Sequence, residues 1–142
     1  MKNLIIGFGI LTAVLFLFGA IAMVETDSGK ETALKENLRT AIYQTMDECK
    51  DPALQQGVWN RYDSAELSVR EGFQKEDELM VLCFKDNLKQ LMQTADDVKI
   101  RVIEADWEKG ILCVEVMQTY TNLGVKRATS AKETVIYNEY VK

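Results

Sequence analysis

The residues of this chain whose types could support chemistry are three cysteines and a group of clustered carboxylates, and no histidine accompanies them. Without histidine the commonest general base, zinc ligand and pH switch are missing. Cys49, Cys83 and Cys113 share no C-x-x-C spacing, so neither a zinc ribbon nor a dithiol redox motif is indicated. Their odd number leaves two readings, a disulfide with one free thiol or three buried thiols packing as small apolar residues. Among the carboxylates, Glu104, Asp106 and Glu108 alternate toward a turn, and Asp96-Asp97 precede the segment that carries them. Calcium would need a D-x-D-x-D-G loop with a bidentate glutamate at the matching distance, and the spacing here is that of a solvated charged face. No G-x-S-x-G, S-x-x-K or phosphate-binding loop occurs. The expectation is therefore no catalytic residue, no cofactor and no metal.

Aromatic residues offer a different use. Trp59, Tyr62, Trp107, Tyr120, Tyr137 and Tyr140 would give contact area at low entropic cost if they shared a surface, and would fill the core or strand edges if they did not.

These residues depend for their placement on a strongly divided chain. Leu4 to Val24 is an uninterrupted apolar run without charge or proline, long enough as a helix to cross a hydrocarbon core of about 30 Å. Lys2 precedes it, and Glu25 and Asp27 follow it. This asymmetry predicts a cytoplasmic stub at residues 1–3, a transmembrane helix at 4–24 and an extracytoplasmic domain at 25–142. A secretory signal is the rival, since Ala20-Ile21-Ala22 fits a small-x-small cleavage pattern. The apolar run exceeds a normal signal core and continues past that point, which favours a retained anchor in the lipid bilayer. Within it Gly9 and Ala13 form a small-x-x-x-small pair that would let another membrane helix approach closely. All 22 acidic residues and all but one of the 17 basic ones follow Val24, so nucleic acid is not an expected partner.

Beyond the run, Leu34, Leu38, Ala41, Ile42, Thr45 and Cys49 recur at helical spacing, which predicts a long amphipathic helix whose Leu34, Leu38 and Ile42 stripe forms a helix interface or the domain core. Ser28 and Glu31 fit a capping box that would restart the helix after the membrane, with Gly29 as a weak point; one unbroken helix is the alternative. Asp51-Pro52 ends it. Residues 53–75 show no clean period and read as connection, with short local helix as an option. A second helix is expected from about 76 to about 94, its apolar face carrying Leu79 or Met80, Cys83, Phe84, Leu88, Leu91, Met92 and Ala95, with Glu76-Asp77-Glu78 complementing its N-terminal dipole. Residues 98–106 and 111–120 are rich in β-branched types and flank Gly110, giving a hairpin. Thr121-Asn122-Leu123-Gly124 is a second turn, and a last strand is expected from about 129 or 133 to 140. The fold class is α+β: an N-terminal transmembrane helix, an amphipathic helix, and a second helix packed on a three-stranded antiparallel β-meander.

This plan resembles that of type IV pilins and pseudopilins. More narrowly, Asp106, Gly110, Ile111, Leu112, Val114 and Val116, followed by Thr134, Val135 and Ile136, are similar to the hairpin and final strand of small pilin-like or TadE-like proteins of tight-adherence (Flp) pilus loci in Gram-positive bacteria. The resemblance implies a non-enzymatic subunit or accessory of an envelope filament or secretion apparatus, with other membrane or pilin-like subunits as partners through the N-terminal helix. Neither Gly7 nor Gly9 is followed by a glutamate before Glu25, so an uncleaved, minor or accessory component is implied rather than a processed major pilin. A membrane-tethered or secreted ligand-binding or sensor domain is the alternative from a different functional class.

Overall fold

Nothing between Lys2 and Lys50 forces the helix to stop, and in the computed structural model it does not: α1 is a single helix over Lys2–Lys50, 49 residues long. The structure describes residues 2–62, 71–92 and 97–140, with side chains over 5–62, 71–92 and 97–138. Of the two expectations for Ser28 and Gly29, the unbroken helix is the one observed. A glycine inside a helix costs about 1 kcal/mol relative to alanine, too little to end a helix supported on both sides.

Asp51-Pro52 terminates α1 as expected but also starts a helix that periodicity did not reveal. Pro52 is the first residue of α2, Pro52–Tyr62, where its missing N–H is no loss and its fixed φ suits the helix. The Asp51 carboxylate accepts the Ala53 N–H at 2.8 Å, and the Asp51 carbonyl accepts those of Leu54 and Gln55, so the stop signal doubles as an N-cap. Of the readings open for 53–75, the short local helix is the one observed over its first part. With only Val58 and Tyr62 buried, an i, i+4 pair, α2 has too short an apolar stripe to show a period. The rest of that stretch, residues 63–70, lies outside the described residues.

The third helix, α3, spans Lys75–Leu91 and is capped at Met92, whose N–H donates to the Leu88 carbonyl, so it ends about three residues before the expected 94; Ala95 lies outside the described residues. Leu79, Met80, Cys83, Phe84 and Leu88 are buried on it, along with Glu78 and Asn87. Asp77 serves both the helix and the sheet: its Oδ2 accepts the N–H of the N-cap residue Gln74 at 2.8 Å, and its Oδ1 accepts the Trp107 N–H at 2.7 Å.

Three strands follow, β1 (Asp97–Asp106), β2 (Ile111–Asn122) and β3 (Val125–Ile136), in the antiparallel order β1-β2-β3. A bulge at Ile103 shifts the β1–β2 register between Val102 and Glu104. The β2–β3 turn has two residues, Leu123 at φ 48° and Gly124 at φ 79°, between the paired Asn122 and Val125. β3 therefore starts four or eight residues earlier than the two expected starts, because Val125 to Ala128 is exposed on both faces and carries no alternation. It also ends sooner. The Tyr137 N–H reaches the Gly110 carbonyl at 2.9 Å, but β2 begins at Ile111 and offers no further strand, so Tyr137–Tyr140 closes into one helical turn, α4.

One face of the sheet is covered by the second half of α1, with α3 packed alongside. Leu34, Leu38, Ala41, Ile42, Met46 and Cys49 meet Phe84 and Leu88 of α3, Leu112, Val114 and Val116 of β2, and Ala131 and Val135 of β3. Full burial of each large aliphatic side chain stabilises by about 1.5–3 kcal/mol. At the β1–β2 turn, Gly110 holds φ 68°, and an added Cβ would fall 2.9 Å from Tyr137 Cβ. Gly110→Ala should therefore cost more than about 1 kcal/mol, measured as a lowered midpoint of chemical denaturation in detergent. A stability equal to that of the parent chain would contradict this account of the turn.

Candidate interface of the apolar helix and its junction with the sheet

From Ile5 to Ala22, α1 is apolar on nearly every side and almost wholly exposed. Ile5, Phe8, Phe16 and Phe18 are each about two-thirds exposed or more, and the most apolar stretch is wholly unburied. This helix is long and apolar enough to cross a membrane. Its one polar side chain in that stretch, Thr12, donates to the Phe8 carbonyl at 2.8 Å, so the hydroxyl is satisfied within the helix, as a hydrocarbon environment demands. Gly9 has nothing within 4 Å of where a Cβ would stand, and Ala13 beside it is exposed; the pair presents an open, flat strip.

The stripe Leu34, Leu38 and Ile42 is at most 1% exposed and forms the core of the chain's own domain. α1 thus changes role along its length, from a bare rod to the central element of a core. The change is made at Asp27. Tyr120 Oη donates to Asp27 Oδ1 at 2.7 Å, Asn122 Nδ2 donates to the same oxygen at 3.0 Å, and Arg127 Nε lies 3.8 Å from Oδ2. Asn122 Nδ2 also reaches the Met23 carbonyl at 3.1 Å, a group at the edge of the apolar run. The hydrogen bond from Tyr120, then that from Asn122, with the charge of Arg127 behind them, hold the Asp27 carboxyl below its usual range.

This knot arises from the pleat of β2. Leu112, Val114, Val116, Gln118, Tyr120 and Asn122 are its buried alternate residues, and the sequence grades that face from apolar to polar toward the exposed half of α1. Sequence reasoning missed the knot because its partners stand more than ninety positions from Asp27 and no local pattern joins them.

At the opposite end of the domain Trp59 and Trp107 meet at 5.8 Å, Lys50 Nζ lies 5.9 Å over Trp107, and Lys50 Nζ donates to the Glu108 carbonyl at 3.4 Å. The aromatic residues are therefore divided between the two ends and the core and do not form one surface; the side chain of Tyr140 lies outside the described residues. Tyr62 donates to Asp86, joining α2 to α3.

All three cysteines are buried free thiols. Cys83 Sγ donates to Glu48 Oε2 at 3.2 Å. Hydrogen bonding with the Cys49 thiol, burial, and the Glu48 carboxylate push the Cys83 thiol far above the ordinary cysteine range, which keeps it from the thiolate form that nucleophilic chemistry requires. Thr134 Oγ1 donates to Cys113 Sγ at 3.0 Å across the β2–β3 pair. Of the carboxylates near the first hairpin, Asp106 accepts the Lys109 N–H at 2.8 Å and pairs with Lys109 Nζ at 2.8 Å, contacts that lower its pKa and close the turn. Among the described residues no group of three or more Cys, Asp or Glu is arranged to hold a metal ion; Asp96 lies outside them.

The chain matches no protein-family model, no curated protein and no solved structure.

The Asp27 knot has a pH signature. A carboxyl whose native pKa lies below its unfolded value contributes stability that is complete above the unfolded pKa and is lost as pH falls through the native one. Docking of the β2–β3 hairpin on α1 should therefore be constant above the ordinary value of 3.8 and loosen in more acidic solution. Amide hydrogen exchange at Tyr120 and Asn122 should rise there in the parent chain, and Asp27→Asn should remove that pH dependence. An unaltered acid profile in the variant would refute it.

Proposed function

We propose that this chain is a single-pass membrane protein that works by assembly rather than by catalysis, a pilin-like or TadE-like subunit or accessory of an envelope filament or secretion apparatus. The observation that carries this reading is the single helix α1, whose first half is bare and apolar while its second half is buried under the sheet. A filament subunit of this class needs both: an exposed rod to pack against equivalent rods, and a domain fixed to its end. In a bilayer the same rod spans the hydrocarbon core, with Lys2 on the cytoplasmic side by the positive-inside rule and the α+β domain on the other.

The open strip at Gly9 and Ala13 supports helix-to-helix contact within the membrane, where close approach over small residues replaces the hydrophobic effect as the source of association. The partners on this reading are further copies of the chain or other membrane subunits with similar helices.

Two substitutions test the two halves of the proposal. Leu15→Asp places a charge at mid-bilayer, at a cost of about 2.5–3.5 kcal/mol, and should move the chain out of the alkali-resistant membrane fraction; unchanged fractionation would sink the anchor. Gly9→Ile fills the strip while leaving the helix apolar. It should leave membrane insertion intact but convert the detergent-solubilised oligomer to monomer on native mass spectrometry, and an oligomer of unaltered mass would overturn the assembly reading.

A further inference from the structure

We infer that the β2–β3 turn is a second membrane contact, an apolar tip that rests in the lipid interface beside the emerging helix. This inference rests on the membrane-anchor reading above and adds a site to it.

Its position follows from two fixed points. β2 runs antiparallel to the second half of α1, held at one end by Lys50 against the Glu108 carbonyl and at the other by Asn122 against Met23 and Asp27. Between those points the helix, rising about 1.5 Å per residue, and the strand, rising about 3.3 Å per residue, cover similar distances. One further step along the strand places Leu123 level with Met23 and Val24, where the apolar run ends. A bilayer spanned by that run has its interface at this height.

The chemistry of the tip suits that place. Leu123 is 67% exposed and Val125 46%, while Val24 on the helix is 68% exposed. Leu123 also holds φ 48°, at a turn position where glycine, asparagine or aspartate is favoured, so its presence has no local conformational reason. Behind the apolar tip stand Lys126 and Arg127, paired across the sheet with Thr121 and Tyr120, and Lys30 lies over the Tyr120 ring at 5.4 Å. Apolar residues first, then basic residues one step further from the bilayer, is the order in which an interfacial surface meets acyl chains and then headgroups. Glu25 and Asp27 share this level, with Asp27 already engaged by Arg127. The domain is acidic as a whole, which makes the local basic cluster at its membrane end the more pointed. The occupant is therefore the lipid interface, continuous with the lipid-facing surface of α1.

Brominated lipids test this directly in the full chain reconstituted into phosphatidylcholine and phosphatidylglycerol vesicles. Trp59 and Trp107 lie at the far end of the domain and supply an unquenched background. Leu123→Trp, and independently Val125→Trp, should each add a blue-shifted emission that is lost when the lipids are brominated near the headgroup end of their acyl chains. Phe18→Trp, inside the apolar run, reports on the anchor itself. Quenching of Phe18→Trp with neither tip variant quenched would overturn the tip contact and leave the anchor standing. Absence of quenching in all three would overturn both. A blue shift at the tip without quenching would place it against protein, such as a second copy, and likewise overturn the lipid assignment.

Discussion

A peptide group inside a bilayer has no water to bond, so the apolar run of this chain can cross one only as a helix whose amides are satisfied along its own backbone. That constraint fixes more than the run itself, because the helix does not end where the hydrophobicity ends. With no proline before Pro52 and with a buried stripe from Leu34 to Cys49, the same ladder of hydrogen bonds continues into the domain and becomes its central element. The rotation and height of the sheet relative to the exposed half are thereby set by helix geometry, at 3.6 residues per turn, and not by a linker.

A rod of this kind needs a lock where its surroundings change, and the residues at Asp27 have that role. If the apolar run spans a bilayer, a carboxylate one turn beyond it stands where the dielectric falls, and an unpartnered charge there would be costly. Tyr120, Asn122 and Arg127 supply it with two hydrogen-bond donors and an opposite charge, all from the β2–β3 hairpin. Asn122 extends the lock to the Met23 carbonyl. The polar half of the β2 inner face is thus matched to the polar start of the domain, while its apolar half packs on the core stripe. The hairpin cannot slide along α1 without separating both sets.

Much of this architecture was legible because it is periodic. The buried stripe of α1, the α3 face around Phe84 and Leu88, and the alternation of Leu112, Val114 and Val116 each repeat at the spacing of their element. What escaped was aperiodic or distant. α2 is short and buries only Val58 and Tyr62, so a short helix was allowed there but not placed, behind a proline that reads first as a terminator. The opening of β3 faces solvent on both sides, so only the two-residue turn before it fixes its start. The end of β3 is set by where its neighbour β2 begins, information that resides at Gly110 and not near Tyr137. The junction at Asp27 depends on tertiary proximity alone.

Several polar side chains of the domain are engaged in joining its elements. Asp77 ties the start of α3 to the first hairpin, Asp106 closes that hairpin through Lys109, Glu48 receives Cys83 and Arg61, and Asn87 reaches Thr45 across the α1–α3 contact. A group that joins two elements cannot leave its partner without loosening the contact between them. Among these contacts the thiol of Cys83 is the clearest case, because the neighbours that fix it also keep its proton in place. The large surface with no structural duty is the apolar half of α1 together with the turn beside it, and it is there that the physical driving force for contact with lipid or with another helix is concentrated.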